Sequence, residues 1–381
     1  MNTKTPPHSV AFRFRSRRPF VHALQRWKRR GRAAFAAAAL GLLVPLSAGA
    51  AVVREWVVME TGTTASFSGR NSIDVYSSTF AVATGANETV LVYDGTGWKP
   101  FPGAADAYGN VEGGWALPSG GVSVSSPTRV FLANYGGTDA STRRLFRWNA
   151  GTWTTNLRPT GNNARLASVW TARDADHVLV GAVGSTSGIY ASGEQGWNKV
   201  SDASVLQIRS VSNTQIFALD EDGVTLHYSS NGGQSFDSTL TVPGSVIAFA
   251  PLSSEAIWAV GSGGAIWYWD GLSFQAQVSP TTEILRNVFA FSANDVWAVG
   301  ANSTLLHFDG TEWRQEILEL EGNPHFYGID GDELGNLYIV GSNGLILHGV
   351  ATIPEPSAVA LLLLTAGAAC AGRRSGLFSR R

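Results

Sequence analysis

SANDVWAVGANSTLLHFDGTEW, residues 292–313, is a unit of short strands and tight turns, and six weaker copies of it fill most of the chain. Asp295 and the small polar residues before it make a turn. Val296, Trp297, Ala298 and Val299 form an apolar run of strand length, rich in β-branched and aromatic residues and closed by Gly300. Residues 301–303 turn again, residues 305–308 make a second strand, and Asp309-Gly310 is a tight-turn dipeptide that puts Trp313 at the head of a third. A strand over 287–291 precedes the unit. Four antiparallel strands therefore recur in roughly forty residues, the repeat length of a propeller blade.

The copies can be counted. The residue at the centre of the apolar strand falls at Phe80, Phe131, Leu179, Phe217, Trp258, Trp297 and Tyr338, with steps of 51, 48, 38, 41, 39 and 41 residues. The aromatic after the last turn falls at Trp98, Trp153, Trp197, Phe236, Phe274 and Trp313, one fewer. The final unit, NLYIVGSNGLILH at 336–348, stops before its last strand, while REWVVME at 54–60 looks like that strand standing alone; compare TEWRQEI at 311–317. The expectation is an all-β, seven-bladed propeller of four-stranded antiparallel blades. The N-terminal strand closes the ring and leaves no open seam. An open solenoid would need capping units that the sequence lacks.

Composition agrees. The 381 residues are 44% hydrophobic and 15% charged, with 43 glycines, the proportions of a turn-rich β protein. The net charge of -1 conceals segregation along the chain. Residues 1–50 hold ten of the 28 basic residues and no acid, and residues 355–381 hold four arginines and one glutamate, which leaves 14 basic and 28 acidic residues between. So acidic a middle argues against a nucleic-acid partner.

Three domains follow: 1–50, 51–350 and 351–381. Residues 1–50 read as a signal peptide, with a long basic stretch, a short apolar core at 33–46, and Ala48-Gly49-Ala50 as an A-x-A cleavage site. The apolar core is short for an uncleaved span. Ser16-Arg17-Arg18-Pro19-Phe20-Val21 resembles a twin-arginine signal, but the apolar core begins far downstream, and the general secretory route is expected. At the other end, Pro354-Glu355-Pro356 precedes an apolar run over 358–371 and then Arg373-Arg374 and Arg380-Arg381, which would hold the end of a membrane helix on the cytoplasmic side. The single cysteine, Cys370, lies in that run, so the 51–350 domain can form no disulfide.

Two resemblances rest on these residues. The carboxyl terminus resembles a PEP-CTERM sorting signal, the tripartite tail recognised by exosortase-type enzymes of Gram-negative bacteria. It implies retention in the inner membrane, cleavage near Pro354, Glu355 and Pro356, and release or attachment at the cell surface, often alongside exopolysaccharide. An ordinary tail anchor is the competing reading. Tyr228-Ser229-Ser230-Asn231-Gly232-Gly233-Gln234-Ser235-Phe236 resembles an Asp-box, or BNR-type, hairpin, with Asn231 in the aspartate place and Phe236 in the tryptophan place. The wider pattern is similar to propellers of the photosystem II assembly factor type and of sialidase-like proteins. These boxes are structural turns and specify no ligand.

Candidate chemistry is sparse. Sialidase-like glycoside hydrolysis implies an arginine cluster, a Tyr/Glu pair and an F/Y-R-I-P start, of which only Leu157-Arg158-Pro159 is an echo, so no catalytic residue is assigned and no enzyme is expected. His227, His307 and His348 stand in TLHY, LLHF and ILHG, the same place in three repeats, and so read as repeat residues and not as a metal trio. Residues 330–335 fail the calcium-loop pattern, and residues 220–223 read as a solvated acidic turn. No metal or cofactor is expected. Trp267, Tyr268 and Trp269 must alternate across a strand, so at least one face is expected not to be ordinary blade interior, and with Trp115 and Trp148 beside the longer front insertions they are the candidates for a ligand face. The function expected is an exported cell-surface or extracellular-matrix binding module. Its partners would be an exosortase-type processing enzyme, the inner membrane before processing, and exopolysaccharide or an envelope protein; a membrane-tethered assembly factor is the alternative.

Overall fold

The computed structural model describes residues 53–352, except 88, 105–120, 136–143, 158, 160–164 and 195. The chain divides into the units Met1–Gly49 and Ala50–Arg381, and every described residue belongs to the second. Ala48, Ala50, Trp115, Pro354, Glu355, Pro356, Arg373 and Arg374 lie outside the described residues, as do both terminal segments.

The described residues form seven four-stranded antiparallel sheets. Six follow chain order, and in each the first strand packs against the first strand of the neighbouring sheets, so the first strands surround an axis. In the sixth blade the strands are Leu285–Ser292, Asp295–Gly300, Leu305–Phe308 and Trp313–Gln315. Burial grades outward. Second strands such as Val178–Val183 are buried at every residue because both faces meet another blade, which explains their unbroken apolar runs. Outermost strands such as Phe274–Ala276 and Trp313–Gln315 bury only their leading aromatic.

The seventh sheet is closed by the amino terminus. Phe326–Gly331, Leu337–Gly341 and Ile346–Thr352 supply its inner strands, and Val53–Met59 pairs along the edge of the third. The register identifies the missing seventh aromatic. Trp313 pairs with Phe308, the residue after His307; Trp56 pairs with Gly349, the residue after His348. Trp56 therefore occupies the place of Trp313, and it repeats that residue's contact. Trp313 meets Trp258 of the preceding blade edge-on at 5.4 Å, Trp56 meets Trp297 at 5.7 Å, and Trp98 meets Tyr338 at 6.3 Å. Such pairs contribute roughly 0.5–1.5 kcal/mol beyond buried area. Arg54 pins the same strand. Its buried guanidinium donates to the Gly335 carbonyl and, at 3.3 Å, to Asp295 Oδ2, and lies 4.9 Å from the Phe291 ring centre and 5.1 Å from that of Trp297.

The Asp-Gly dipeptides are the outer turns of their blades. Asp309 Oδ1 accepts the N–H groups of Thr311 and Glu312 at 2.9 and 3.1 Å, Asp270 Oδ1 those of Leu272 and Ser273 at 2.9 Å, and Asp94 Oδ1 those of Thr96 and Gly97 at 3.0 and 3.2 Å. The following glycine takes φ of +92, +91 and +88°, a conformation side chains disfavour. In the Asp-box of blade four, Asn231 Oδ1 takes the aspartate role, accepting the N–H groups of Gln234 and Ser235 at 3.1 Å.

Candidate functional site: the central channel

The innermost strand of a blade has no further strand on its axial edge, so its N–H groups need other partners. Side chains of neighbouring blades provide them. Asp330 Oδ2 accepts the Val75 N–H at 2.7 Å, Asp74 Oδ2 that of Val124 at 2.8 Å, and Ser123 Oγ that of Thr171 at 3.0 Å. Ser168 Oγ accepts the Ile208 N–H at 3.0 Å, and Gln207 Oε1 that of Phe249 at 3.1 Å. One polar side chain per junction thus ties blade seven to one, and onward in turn to five.

The segment entering the first blade lies across this belt. Arg70 Nη1 donates to the Ile247 carbonyl at 2.7 Å, and its own carbonyl accepts Asn287 Nδ2 at 2.8 Å. Asn71 Nδ2 donates to Ser168 Oγ at 3.1 Å while its Oδ1 accepts Gln207 Nε2 at 3.0 Å. Two consecutive residues therefore bond to blades three, four, five and six. Nothing in the sequence marked them, because polar residues in a connection carry no periodicity.

A cavity of about 330 Å³ opens beside this plug, lined among others by Asp74, Thr171, Arg173, Arg209 and Asp330. Arg173 donates to Asp74 Oδ1 and to the Val124 carbonyl, both at 2.7 Å. Burial, reinforced by the neighbouring Asp74 carboxylate, pushes the Asp330 carboxyl up to about 6. The channel thus concentrates ionisable groups that the sequence analysis did not single out; Asp74, Asp330 and Arg173 bond the backbones of adjacent blades, and Asp74 and Arg173 each other, while Arg209 reaches the Asn287 side chain at 3.5 Å.

The expected aromatic candidates sit between blades. Trp267 and Trp269 pack against the cluster shared by blades four and five, and Tyr268 lies tilted 4.6 Å from Trp258 in the cluster of blades five and six. Contrary to the expectation that one face lies outside the blade interior, the three consecutive aromatics serve two packed faces, and all three are half-buried. Trp148 is half-buried between blades one and two, 5.2 Å from Phe101 and 5.4 Å from Trp153.

The three histidines do not occupy one place, contrary to the alignment of TLHY with LLHF and ILHG. His307 stacks on Trp297 at 4.0 Å and His348 on Tyr338 at 4.4 Å, each opposite its ring in register. In blade four the residue opposite Phe217 is Tyr228, and His227 lies opposite Ala218. The acidic turn after Asp220 is one residue longer than its counterparts, and a one-residue shift turns a strand's side chains to the other face. His227 Nε2 bonds Asp220 Oδ2 at 3.0 Å instead. Asp222 is also consumed locally, accepting the N–H groups of Val224 and Thr225 at 2.8 and 2.9 Å. Among the described residues no three His, Cys, Asp or Glu side chains converge on a metal-sized site.

No family model and no curated protein matches the chain. Solved structures do. YCF48 bound to a D1 peptide superposes with a TM-score of 0.62 at 15% identity, over 79% of this chain and 100% of that one. YCF48 from Cyanidioschyzon merolae gives 0.60 at 17% over 77% and 98%, and streptogramin B lyase gives 0.57 at 12% over 78% and 98%. What they share is the fold. The resemblance to photosystem II assembly factor propellers therefore holds at the level of architecture.

Proposed function

We propose that this chain is an exported propeller that acts by binding at the cell surface or in the extracellular matrix. A leader ending at Ala50 takes it across the inner membrane. The tail bearing Pro354, Glu355, Pro356, Arg373 and Arg374 holds it there until an exosortase-type enzyme cuts, and exopolysaccharide is the partner of the mature domain. The observation that carries binding over catalysis is the engagement of the channel groups. Asp74 and Asp330, the carboxylates of the cavity, each accept a neighbouring blade's backbone N–H at 2.8 and 2.7 Å, an arrangement suited to holding a ring together and poorly suited to proton transfer. The second reading, a tethered assembly factor that binds an envelope protein, draws support from a propeller of this shape, YCF48, being bound to a peptide.

The test is the intact mass of the protein recovered outside the producing cells, with and without the cognate exosortase. A product beginning near Ala51 and ending near Pro354, lost without the enzyme, is the expected result. A product retaining Arg381 in both strains refutes the processing.

A further inference from the structure

A groove of about 620 Å³ runs between blades two and three, and its lining includes Arg129, Arg147, Asp176, His177 and Trp197. Arg147 is the unexpected member. In register it lies opposite Phe131, the position at which four other blades place a ring over the aromatic of their second strand. Tyr228 covers Phe217, Tyr268 covers Trp258, His307 covers Trp297 and His348 covers Tyr338, at 4.7, 4.6, 4.0 and 4.4 Å. A packing position has thus been given to a guanidinium.

That guanidinium has no protein partner among the described residues. Its Nε is buried and without a hydrogen-bond acceptor. The carboxylates of the lining do not compensate it: Asp176 pairs with Arg129, and Glu194 is exposed and pairs with neither arginine. His177 Nε2 is committed to the Gly232 carbonyl at 2.6 Å. A half-buried cation with no anion among the described residues is costly unless something else supplies one. Beside it in the lining is Trp197. Like Trp153, Phe236 and Trp56 at the same place in their blades, and unlike Trp98 and Trp313, it is half-buried, which leaves part of its indole accessible in the groove.

We propose that this groove binds an acidic sugar unit, the carboxylate of a hexuronate pairing with Arg147 and its ring lying on Trp197. Asn149, exposed in the lining, supplies groups for the sugar hydroxyls, whereas the Ser192 hydroxyl is engaged by the Val178 N–H and the Asp176 carbonyl. An accessible indole favours a sugar ring over an extended acidic peptide, because the apolar face of a pyranose stacks on it while the carboxylate meets the guanidinium. The proposal rests on the reading of the chain as a polysaccharide-binding surface module and names the chemistry that it would select.

The experiment is calorimetric titration of the full chain, purified in detergent, with an oligogalacturonate and with the same oligomer after reduction of its carboxylates to alcohols. The wild type is expected to bind the first and not the second, and Arg147→Gln to weaken binding about tenfold to a hundredfold, the worth of a charge-assisted hydrogen bond. Trp197→Leu should weaken binding to both the oligomer and the native polysaccharide. Equal affinity for acid and reduced oligomers in the wild type overturns the proposal whatever the variants' folding. Displacement of the oligouronate by an equal concentration of polyglutamate overturns it too, since charge alone would then suffice. Retention of the native exopolysaccharide by Arg147→Gln at wild-type strength would remove this site and leave the broader function standing. Failure of the wild type to bind any polysaccharide would remove both.

Discussion

Ring closure by Val53–Met59 makes a quantitative demand on one contact. A Cβ built at Gly349 would lie 2.7 Å from Cζ3 of the Trp56 indole, well inside contact distance, so Gly349→Ala must push that ring off Trp297. Overpacking of this kind costs about 1–3 kcal/mol. Trp56 is half-buried, so Trp56→Ala should cost about 2 kcal/mol, below the ~3–5 kcal/mol of a fully buried aromatic. With the indole gone, the three atoms nearest that Cβ are gone too, and the alanine should be neutral, or stabilising by roughly 0.5 kcal/mol through reduced backbone freedom. The double mutant should therefore fall short of the summed single costs by about 1 kcal/mol or more. Urea unfolding of the four proteins, followed by fluorescence and circular dichroism and compared through midpoints at constant slope, measures this coupling. Additivity within about 0.3 kcal/mol would mean that Trp56 does not lie against Gly349. The N-terminal strand would then not be the outer strand of blade seven.

Two further outcomes follow from the same geometry. Arg54→Ala should cost about 2–4 kcal/mol, because it leaves Asp295 without its cation and opens space beside Phe291 and Trp297; a loss under 0.5 kcal/mol in the same unfolding assay would show that Arg54 does not pin the strand. Asp330, held up near 6 against an ordinary 3.8, binds its proton more tightly folded than unfolded, so its contribution to stability grows as pH falls through 6 and is lost as pH rises. His348, lowered by burial, acts with the opposite sign below its ordinary 6.5, so the informative quantity is the difference between wild type and Asp330→Asn. The wild type should gain on the variant between pH 7 and 4.5 in urea midpoints, and a flat difference would contradict the assignment.

Much of the fold was legible because its signals are local. Each strand in the 292–313 unit declares itself by an apolar run and a turn dipeptide a few residues away, and Asp309-Gly310 needs only its own backbone for its bonds. Even the closing strand could be recognised, since REW at 54–56 carries the same aromatic as TEW at 311–313. The candidate sites were less legible. Trp267, Tyr268 and Trp269 signalled two faces correctly, but not that both faces meet a blade.

What the sequence by itself determined, then, is the number of blades, their order and the strand that completes the last, because repetition and periodicity survive in one dimension. Tertiary structure alone decided the rest. The histidine register hinged on one residue in a turn, which a motif alignment cannot weigh but a hydrogen-bonded ladder must. Arg70 and Asn71 became a plug, and Arg147 a cation in a groove, only when folding set them beside residues far off in the chain. Charge and hydrogen-bonding chemistry are written in the residue, but whether a partner is present depends on distance in space.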